Sequence, residues 1–155
     1  MLVGYLGPKG SFSHQVAQKA FPKADLIPYQ TITEVIKAYE NRLVDFSIVP
    51  VENSIEGSVH ETLDYLFHHA QLQTIVELIQ PIKQQLMVSN LGNPIEKIFS
   101  HPQALAQSKV YIQKHYPDAL IEMTASTASA ARLVAEYPDK PYAAIAPESA
   151  AYEYH

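Results

Sequence analysis

Short apolar segments alternate with amphipathic segments along most of this chain, and this alternation is the feature that most constrains its fold. The apolar segments have the length of strands, while the segments between them have the length and end signals of helices. Alternation of this kind predicts an α/β fold with mostly parallel sheets and helices on both faces. We predict strands near 2–6, 25–29, 45–50, 72–80, 82–89, 97–100, 119–123 and 142–146, and helices near 13–21, 31–41, 58–69, 102–116, 126–136 and 147–154.

The region 72–89 breaks the alternation. It holds two extended apolar segments that Pro81 divides, with no helical segment between them. We predict that this region crosses from one lobe of the protein to a second lobe.

Polar side chains follow the strand predicted to end near Pro50. Glu52, Asn53 and Ser54 place a carboxylate, an amide and a hydroxyl side by side. Open α/β sheets bind ligands beyond the carboxyl ends of their strands, so polar chemistry is expected here. Ser58 and Glu61 have the spacing of a capping box for the next helix.

Three more predicted strands end in polar junctions of the same kind. After the first strand, Ser11 or Ser13 is predicted to cap a helix. After the sixth, Ser100 or His101 is the expected cap, and Pro102 fits a first helical turn. The third junction is Ser126-Thr127, which is predicted to begin another helix with a hydroxyl cap.

Composition excludes several kinds of site and partner. The chain of 155 residues has no cysteine, which excludes disulfides, thiolate chemistry and cysteine-bound zinc. Its seven histidines show no metal-ligand spacing, so no metal is predicted. The net charge of −5 argues against nucleic acid as a partner. No apolar segment approaches the roughly 20 residues that span a membrane, and no signal-type segment is present, so we expect a cytoplasmic protein without a membrane partner.

The four junctions, in this order and near this spacing, resemble the prephenate dehydratase family. The segments Pro50–Gly57 and Ser100–Gln107 carry most of the resemblance, and Gly7–Ser13 adds to it. Ala143–Ala146, followed by Ser149–Ala151, fits the late strand and helix of the family. The resemblance implies decarboxylating dehydration of prephenate to phenylpyruvate in phenylalanine biosynthesis, without a cofactor, by a protein that forms a homodimer.

The resemblance also implies an architecture. Members of the family have two α/β lobes, like type II periplasmic solute-binding proteins, with the active site in the cleft between them. We therefore place lobe one at 1–78 and lobe two at 79–150, and we expect 151–155 to begin a return to lobe one.

Matching the family motifs residue by residue implies roles for particular side chains. Polar and acidic active-site positions of the family fall on Glu52, Asn53, Ser100 and Gln107, which we predict to be catalytic. His101 lies within a matching motif, but we interpret it as a helix cap rather than a proton donor. The predicted substrate-binding residues are Gly10, Ser11, Ser13, Ser54, Ser126 and Thr127.

One departure from the family stands out. The resemblance implies a Thr-Arg-Phe segment with a principal catalytic threonine, followed in many members by a regulatory ACT domain, and neither occurs in this sequence. We therefore expect a fragment or a degenerate copy with little activity by itself. A non-catalytic module that binds small carboxylates, and an arogenate dehydratase, are the alternative functions.

Overall fold

The computed structural model describes residues 1–54, 57–69, 71–92 and 94–155. The chain forms two compact units: Met1–Pro8 with Phe12–Gln80, and Lys9–Ser11 with Pro81–His155. We call them unit 1 and unit 2. The lobes inferred from the sequence, with their boundary between 78 and 79, stay a prediction.

Unit 1 is built on a parallel sheet of three strands. Its strands are β1 (Leu2–Leu6), β2 (Asp25–Tyr29) and β3 (Phe46–Ile48), in the order β2-β1-β3. Its helices are α1 (Phe12–Ala20), α2 (Ile32–Glu40) and α3 (His60–His68), and a small antiparallel pair, β4 (Glu52–Asn53) and β5 (Gly57–Ser58), precedes α3. The central strand β1 is buried through Val3 and Tyr5, as expected for a strand with neighbours on both sides.

Helix α2 shows how local sequence sets an element of unit 1. Thr31 and Glu34 form a capping box, in which the Glu34 N–H donates to Thr31 Oγ1 and the Thr31 N–H donates to the Glu34 carboxylate. Ile32, Val35 and Ile36 then recur at helical spacing and are buried.

Unit 2 is built on a four-stranded sheet in the order β6-β9-β7-β8. The strands are β6 (Gln84–Val88), β7 (Lys97–Ser100), β8 (Leu120–Met123) and β9 (Tyr142–Pro147), and only β6 runs antiparallel to its neighbour. The helices are α4 (Pro102–His115), α5 (Thr127–Glu136) and α6 (Glu148–Tyr154).

Alternate side chains of the unit 2 strands face opposite sides of the sheet. Ile98 and Ile145 pack on one side with buried residues of α4. Phe99 and Ala144 pack on the other side with buried residues of α5. The α/β fold predicted from the sequence, with helices on both faces of a mostly parallel sheet, is thus confirmed.

The predicted strand at 72–80 is wrong, because residues 71–83 contain no strand. The apolar side chains that suggested it are largely exposed, with Ile75 at 70% and Ile79 at 89%. A strand persists only where a neighbouring strand satisfies its backbone groups. This segment pairs with no strand of the described residues.

The capping box predicted from Ser58 and Glu61 is also wrong. The N-cap of α3 is Val59, which makes no side-chain capping bond, because Ser58 instead pairs with Glu52 in the β4–β5 ladder. The Glu61 carboxylate accepts hydrogen bonds from the N–H and hydroxyl of Thr33 rather than closing a capping box. Of the two residues predicted to cap α1, Ser13 lies inside the helix, and Ser11 directly precedes its first residue, Phe12.

Candidate active site

In unit 1, the acidic junction forms a small hairpin after β3. Glu52 and Ser54 are exposed, and Asn53 is half-buried in the ladder opposite Gly57. Gly57 has a φ of +80°, a backbone conformation that favours glycine. Ile55 and Glu56, which belong to the motif read from the sequence, lie outside the described residues.

Thr62 anchors this hairpin to the helix that follows it. Its side chain is fully buried, and its hydroxyl donates to the Pro50 carbonyl at 2.6 Å. A second bond runs from the Val59 N–H to the Val51 carbonyl at 2.8 Å. These two hydrogen bonds therefore fix the position of the backbone before and after Glu52 and Asn53. Thr62 was not predicted from the sequence. The apolar pattern of this helix assigns position 62 to the buried face, and a hydroxyl on that face is the signal that could have identified it.

The glycine-rich junction, Lys9–Ser11, groups with unit 2 and is held by α6. The Ser149 hydroxyl donates to the Gly10 carbonyl at 2.9 Å, and the Tyr154 hydroxyl donates to the Lys9 carbonyl at 2.7 Å. Gly10 has a φ of +78°, and a Cβ there would lie 3.0 Å from the Ala150 Cα. Glycine is thus required at this position for both its conformation and its small size.

Ser100 ends β7 and is fully buried. Its hydroxyl donates to the Ile145 carbonyl of the neighbouring strand β9 at 2.5 Å, and its own carbonyl accepts from the Thr124 N–H at 2.9 Å. In this structure, the Ser100 side chain fastens the strand ends together. Its predicted catalytic role stays a prediction, and the geometry favours a positioning role.

His101 caps α4, as the sequence predicted. The His101 Nδ1 accepts a hydrogen bond from the Gln103 N–H at 3.3 Å, and Pro102 occupies the first helical position. An imidazole that accepts at Nδ1 is unprotonated there. Gln107 lies one turn beyond Gln103 and is exposed, so its amide is available to a ligand.

Ser126 caps α5, again as predicted. Its hydroxyl oxygen accepts from the Ser129 N–H at 3.0 Å and lies 2.8 Å from the Ser129 hydroxyl oxygen. The Thr124 hydroxyl donates to the Ser126 carbonyl at 2.9 Å. Thr127 is the first residue of the helix and is half-buried.

Two of the predicted junctions of unit 2 meet at one edge of its sheet. β7 and β8 are parallel neighbours, with Ser100 paired to Met123, so α4 and α5 both begin at the carboxyl edge of this sheet. Each helix N-terminus carries roughly half a positive charge and exposed N–H donors. This edge therefore favours an anionic group, with Gln107 and Thr127 on the two helices that begin there.

Within the part of the chain that the structure describes, no three His, Cys, Asp or Glu residues form a group that could hold a metal ion. No helix built from those residues is long and apolar enough to cross a membrane.

The strand order of unit 2, its helices on both faces and its polar strand ends define an α/β protein of the periplasmic-binding-protein-like class. A family model described as prephenate dehydratase matches residues 3–155. The chain therefore belongs to the prephenate dehydratase family.

Three relatives show how far the likeness extends. The prephenate dehydratase of Lactococcus lactis subsp. lactis is 45% identical over 154 residues, which are 99% of this chain and 55% of the relative. Arogenate dehydratase 5, chloroplastic, of Arabidopsis thaliana is 35% identical over 154 residues, or 98% of this chain and 36% of the relative. The crystal structure of the Arthrobacter aurescens prephenate dehydratase in complex with L-Phe gives a TM-score of 0.89 at 30% identity, over 99% of this chain and 52% of that one. The chain thus spans about half the length of the curated relatives it matches.

Proposed function

We propose that this chain carries the substrate-binding and part of the catalytic machinery of a prephenate dehydratase. The observation that carries the proposal is the family match over residues 3–155, in which the acidic and glutamine junctions read from the sequence are present. The relatives matched over 99% of the chain include proteins named prephenate dehydratase. A cytoplasmic location stays a prediction from the sequence, and a homodimeric whole protein stays a prediction of the family resemblance.

The proposed reaction is an elimination that balances without a redox partner. The bond between the ring and its carboxylate breaks, and the carboxylate leaves as carbon dioxide. The electron pair of that bond moves into the ring and expels the C4 hydroxyl, which takes up a proton and leaves as water. Aromatisation supplies the driving force, so the protein has to orient a dianion and assist the departing hydroxyl.

Each predicted catalytic residue receives a role in this scheme. The Glu52 carboxyl is exposed on the hairpin, and we assign it as proton donor or hydrogen-bond partner of the C4 hydroxyl. The Asn53 and Gln107 amides donate to substrate oxygens. Ser100 positions the strand end from which α4 begins, because its hydroxyl is bound to the Ile145 carbonyl.

The remaining predicted residues bind carboxylates in this proposal. Ser126 acts through the cap that orders the first turn of α5, and Thr127 offers a hydroxyl at that turn. Gly10 acts through its backbone, which α6 holds in place. The others are Ser11, Ser13 and Ser54, which are half-buried or exposed.

Two alternatives have their own support. A module that binds a small carboxylate without chemistry is favoured by the sheet edge at which α4 and α5 both begin, because two helix N-termini favour an anionic group. An arogenate dehydratase is favoured by relatives of that name at 35% identity. Both alternatives use the same polar junctions, so turnover and substrate preference separate them from the main proposal.

The test compares the 155-residue chain with a chimera extended by the part of the Lactococcus lactis relative that the match does not cover. Both are assayed for phenylpyruvate from prephenate and for phenylalanine from arogenate. We expect the chimera to prefer prephenate and the chain alone to be at least about a thousandfold slower, or about 4 kcal/mol of barrier. Phenylalanine as the main product of the chimera would favour arogenate, and a folded chimera without turnover would favour the binding module.

A further inference from the structure

Two glutamine side chains of unit 2 carry buried polar atoms that the fold does not satisfy. Gln84 Oε1 and Gln103 Nε2 are buried, and neither has a hydrogen-bond partner among the described residues. Native proteins pair nearly all buried polar atoms, because an unpaired one destabilises the fold. These two atoms therefore require an explanation, and neither belongs to the residues assigned above.

Gln84 faces the α4 side of the sheet. It begins β6 and pairs with Pro147, the last residue of β9. Leu86 and Val88 share its face, since side chains alternate along a strand. Both of these residues pack against the apolar cluster that contains buried residues of α4.

Gln103 lies at the same end of the sheet. It belongs to the first turn of α4, which begins just after β7 ends at Ser100. Because β7 and β9 are parallel neighbours, their carboxyl ends share one edge of the sheet. Gln84 at the start of β6 lies at that edge, since β6 is antiparallel to β9.

The two unsatisfied atoms are complementary to one kind of chemical group. Gln103 Nε2 is a donor and Gln84 Oε1 is an acceptor. A hydroxyl accepts from the first and donates to the second. A carboxylate satisfies only Gln103 and an ammonium only Gln84, so each leaves one buried atom unpaired.

We propose that Gln84 and Gln103 together bind a hydroxyl group of the substrate, which in the function proposed above is the C4 hydroxyl of prephenate. The inference rests on that proposed function and extends its binding site to two further residues. A hydroxyl bound in this way keeps its second oxygen lone pair open to a proton donor. The two amides thus orient the leaving group without consuming the position that protonation needs.

A structural alternative makes a different prediction. If the two side chains bond to each other, they stabilise the fold and have no preference for a hydroxyl-bearing ligand. Replacing either partner would then leave the other unpaired and lower the melting temperature. If the two side chains are unpaired without a ligand, replacing either one by an apolar residue of similar length removes an unsatisfied polar group. The melting temperature then stays unchanged or rises.

The test uses the 155-residue chain, its Gln84→Met and Gln103→Met variants, and Gln113→Met as a matched control on the exposed surface of α4. Calorimetry measures the binding of prephenate and of its analogue with hydrogen in place of the C4 hydroxyl, and thermal melts report stability. We expect each of the first two variants to bind prephenate about tenfold more weakly and the analogue as the unaltered chain does. Their melting temperatures should not fall, and Gln113→Met should change nothing.

Two results would overturn the assignment and leave the proposed function standing. One is an unchanged preference for prephenate over the analogue in both variants. The other is a lower melting temperature with that preference intact, which would make the pair structural. No binding of prephenate by the unaltered chain would overturn the proposed function as well.

Discussion

Replacing Ser100 by alanine tests whether its hydroxyl is committed to the fold. The side chain is fully buried, and its hydroxyl donates to the Ile145 carbonyl at 2.5 Å across the β7–β9 pair. Ser100→Ala removes the donor and leaves a buried carbonyl without it. Such a loss costs about 1–3 kcal/mol of unfolding free energy. For a chain of this size, each kcal/mol lowers the melting temperature by about 2–4 °C, so we expect a fall of about 2–12 °C.

Ser89→Ala is the matched control for this prediction. The Ser89 hydroxyl also donates to a backbone carbonyl, that of Val134 at 3.1 Å, but Ser89 is exposed. Water replaces the lost bond there, so the change should stay within about 0.5 kcal/mol. Urea unfolding of both variants and the unaltered chain measures the difference. If Ser100→Ala is as mild as Ser89→Ala, the hydroxyl is not held by Ile145 and our positioning argument is refuted.

Two further predictions concern the ends of helices. Ser126→Ala should lower the unfolding free energy by about 1 kcal/mol, because α5 loses its N-cap. Ser58→Ala should change it by less than about 0.5 kcal/mol, because the N-cap of α3 is Val59 and not Ser58. Equal effects of the two variants in urea unfolding would contradict this prediction. Burial raises the pKa of Tyr154 above its ordinary value of 10.0, so the stability due to its neutral hydroxyl should be intact below pH 10.0 and be lost as the pH rises through the raised value. Thermal melts should show a smaller alkaline loss for Tyr154→Phe, and an identical loss would contradict the burial of this hydroxyl.

The elements that the sequence predicted correctly are those whose signals are local. For the strand at 2–6 and the helix at 102–116, the hydrophobic pattern and the residues that begin and end the element lie within or next to it. Both elements form within one residue of the predicted bounds. The segment 72–80 has an equally apolar pattern, yet a strand depends on a pairing partner elsewhere in the chain. Periodicity alone therefore could not decide that segment.

The capping boxes show the same limit at a smaller scale. Thr31–Glu34 and Ser58–Glu61 share one spacing, but only the first forms a capping box. At the second, the ladder with Glu52 takes the Ser58 backbone, and Thr33 takes the Glu61 carboxylate. Competing tertiary partners of this kind are not visible in a local motif.

The candidate site was predictable as a set of positions rather than as a set of contacts. Polar strand ends identified the junctions at Glu52, Ser100 and Ser126, and His101 was recognised as a cap. The partner of the Ser100 hydroxyl lies 45 residues away, and the Ser149 hydroxyl that holds Gly10 lies 139 residues away. Distances of this kind are set by the packing of the sheet and helices, which no local pattern encodes.

In the proposed function, Asn53 and Gln107 serve the reaction rather than the fold. The most direct test of these roles is the turnover number for prephenate in the chimera that carries the part of the Lactococcus lactis relative outside the match, with Asn53→Ala, Gln107→Ala and the control Gln113→Ala. Loss of a positioned donor costs about 10²–10³ in rate where it acts on developing charge, so we predict that loss in the first two variants. Both changes should lower turnover more than they lower the free energy of urea unfolding, and the turnover of Gln113→Ala should be unchanged. A tenfold change in rate corresponds to about 1.36 kcal/mol of barrier. Turnover within about threefold of the unaltered chimera in both site variants would contradict a catalytic role for Asn53 and Gln107.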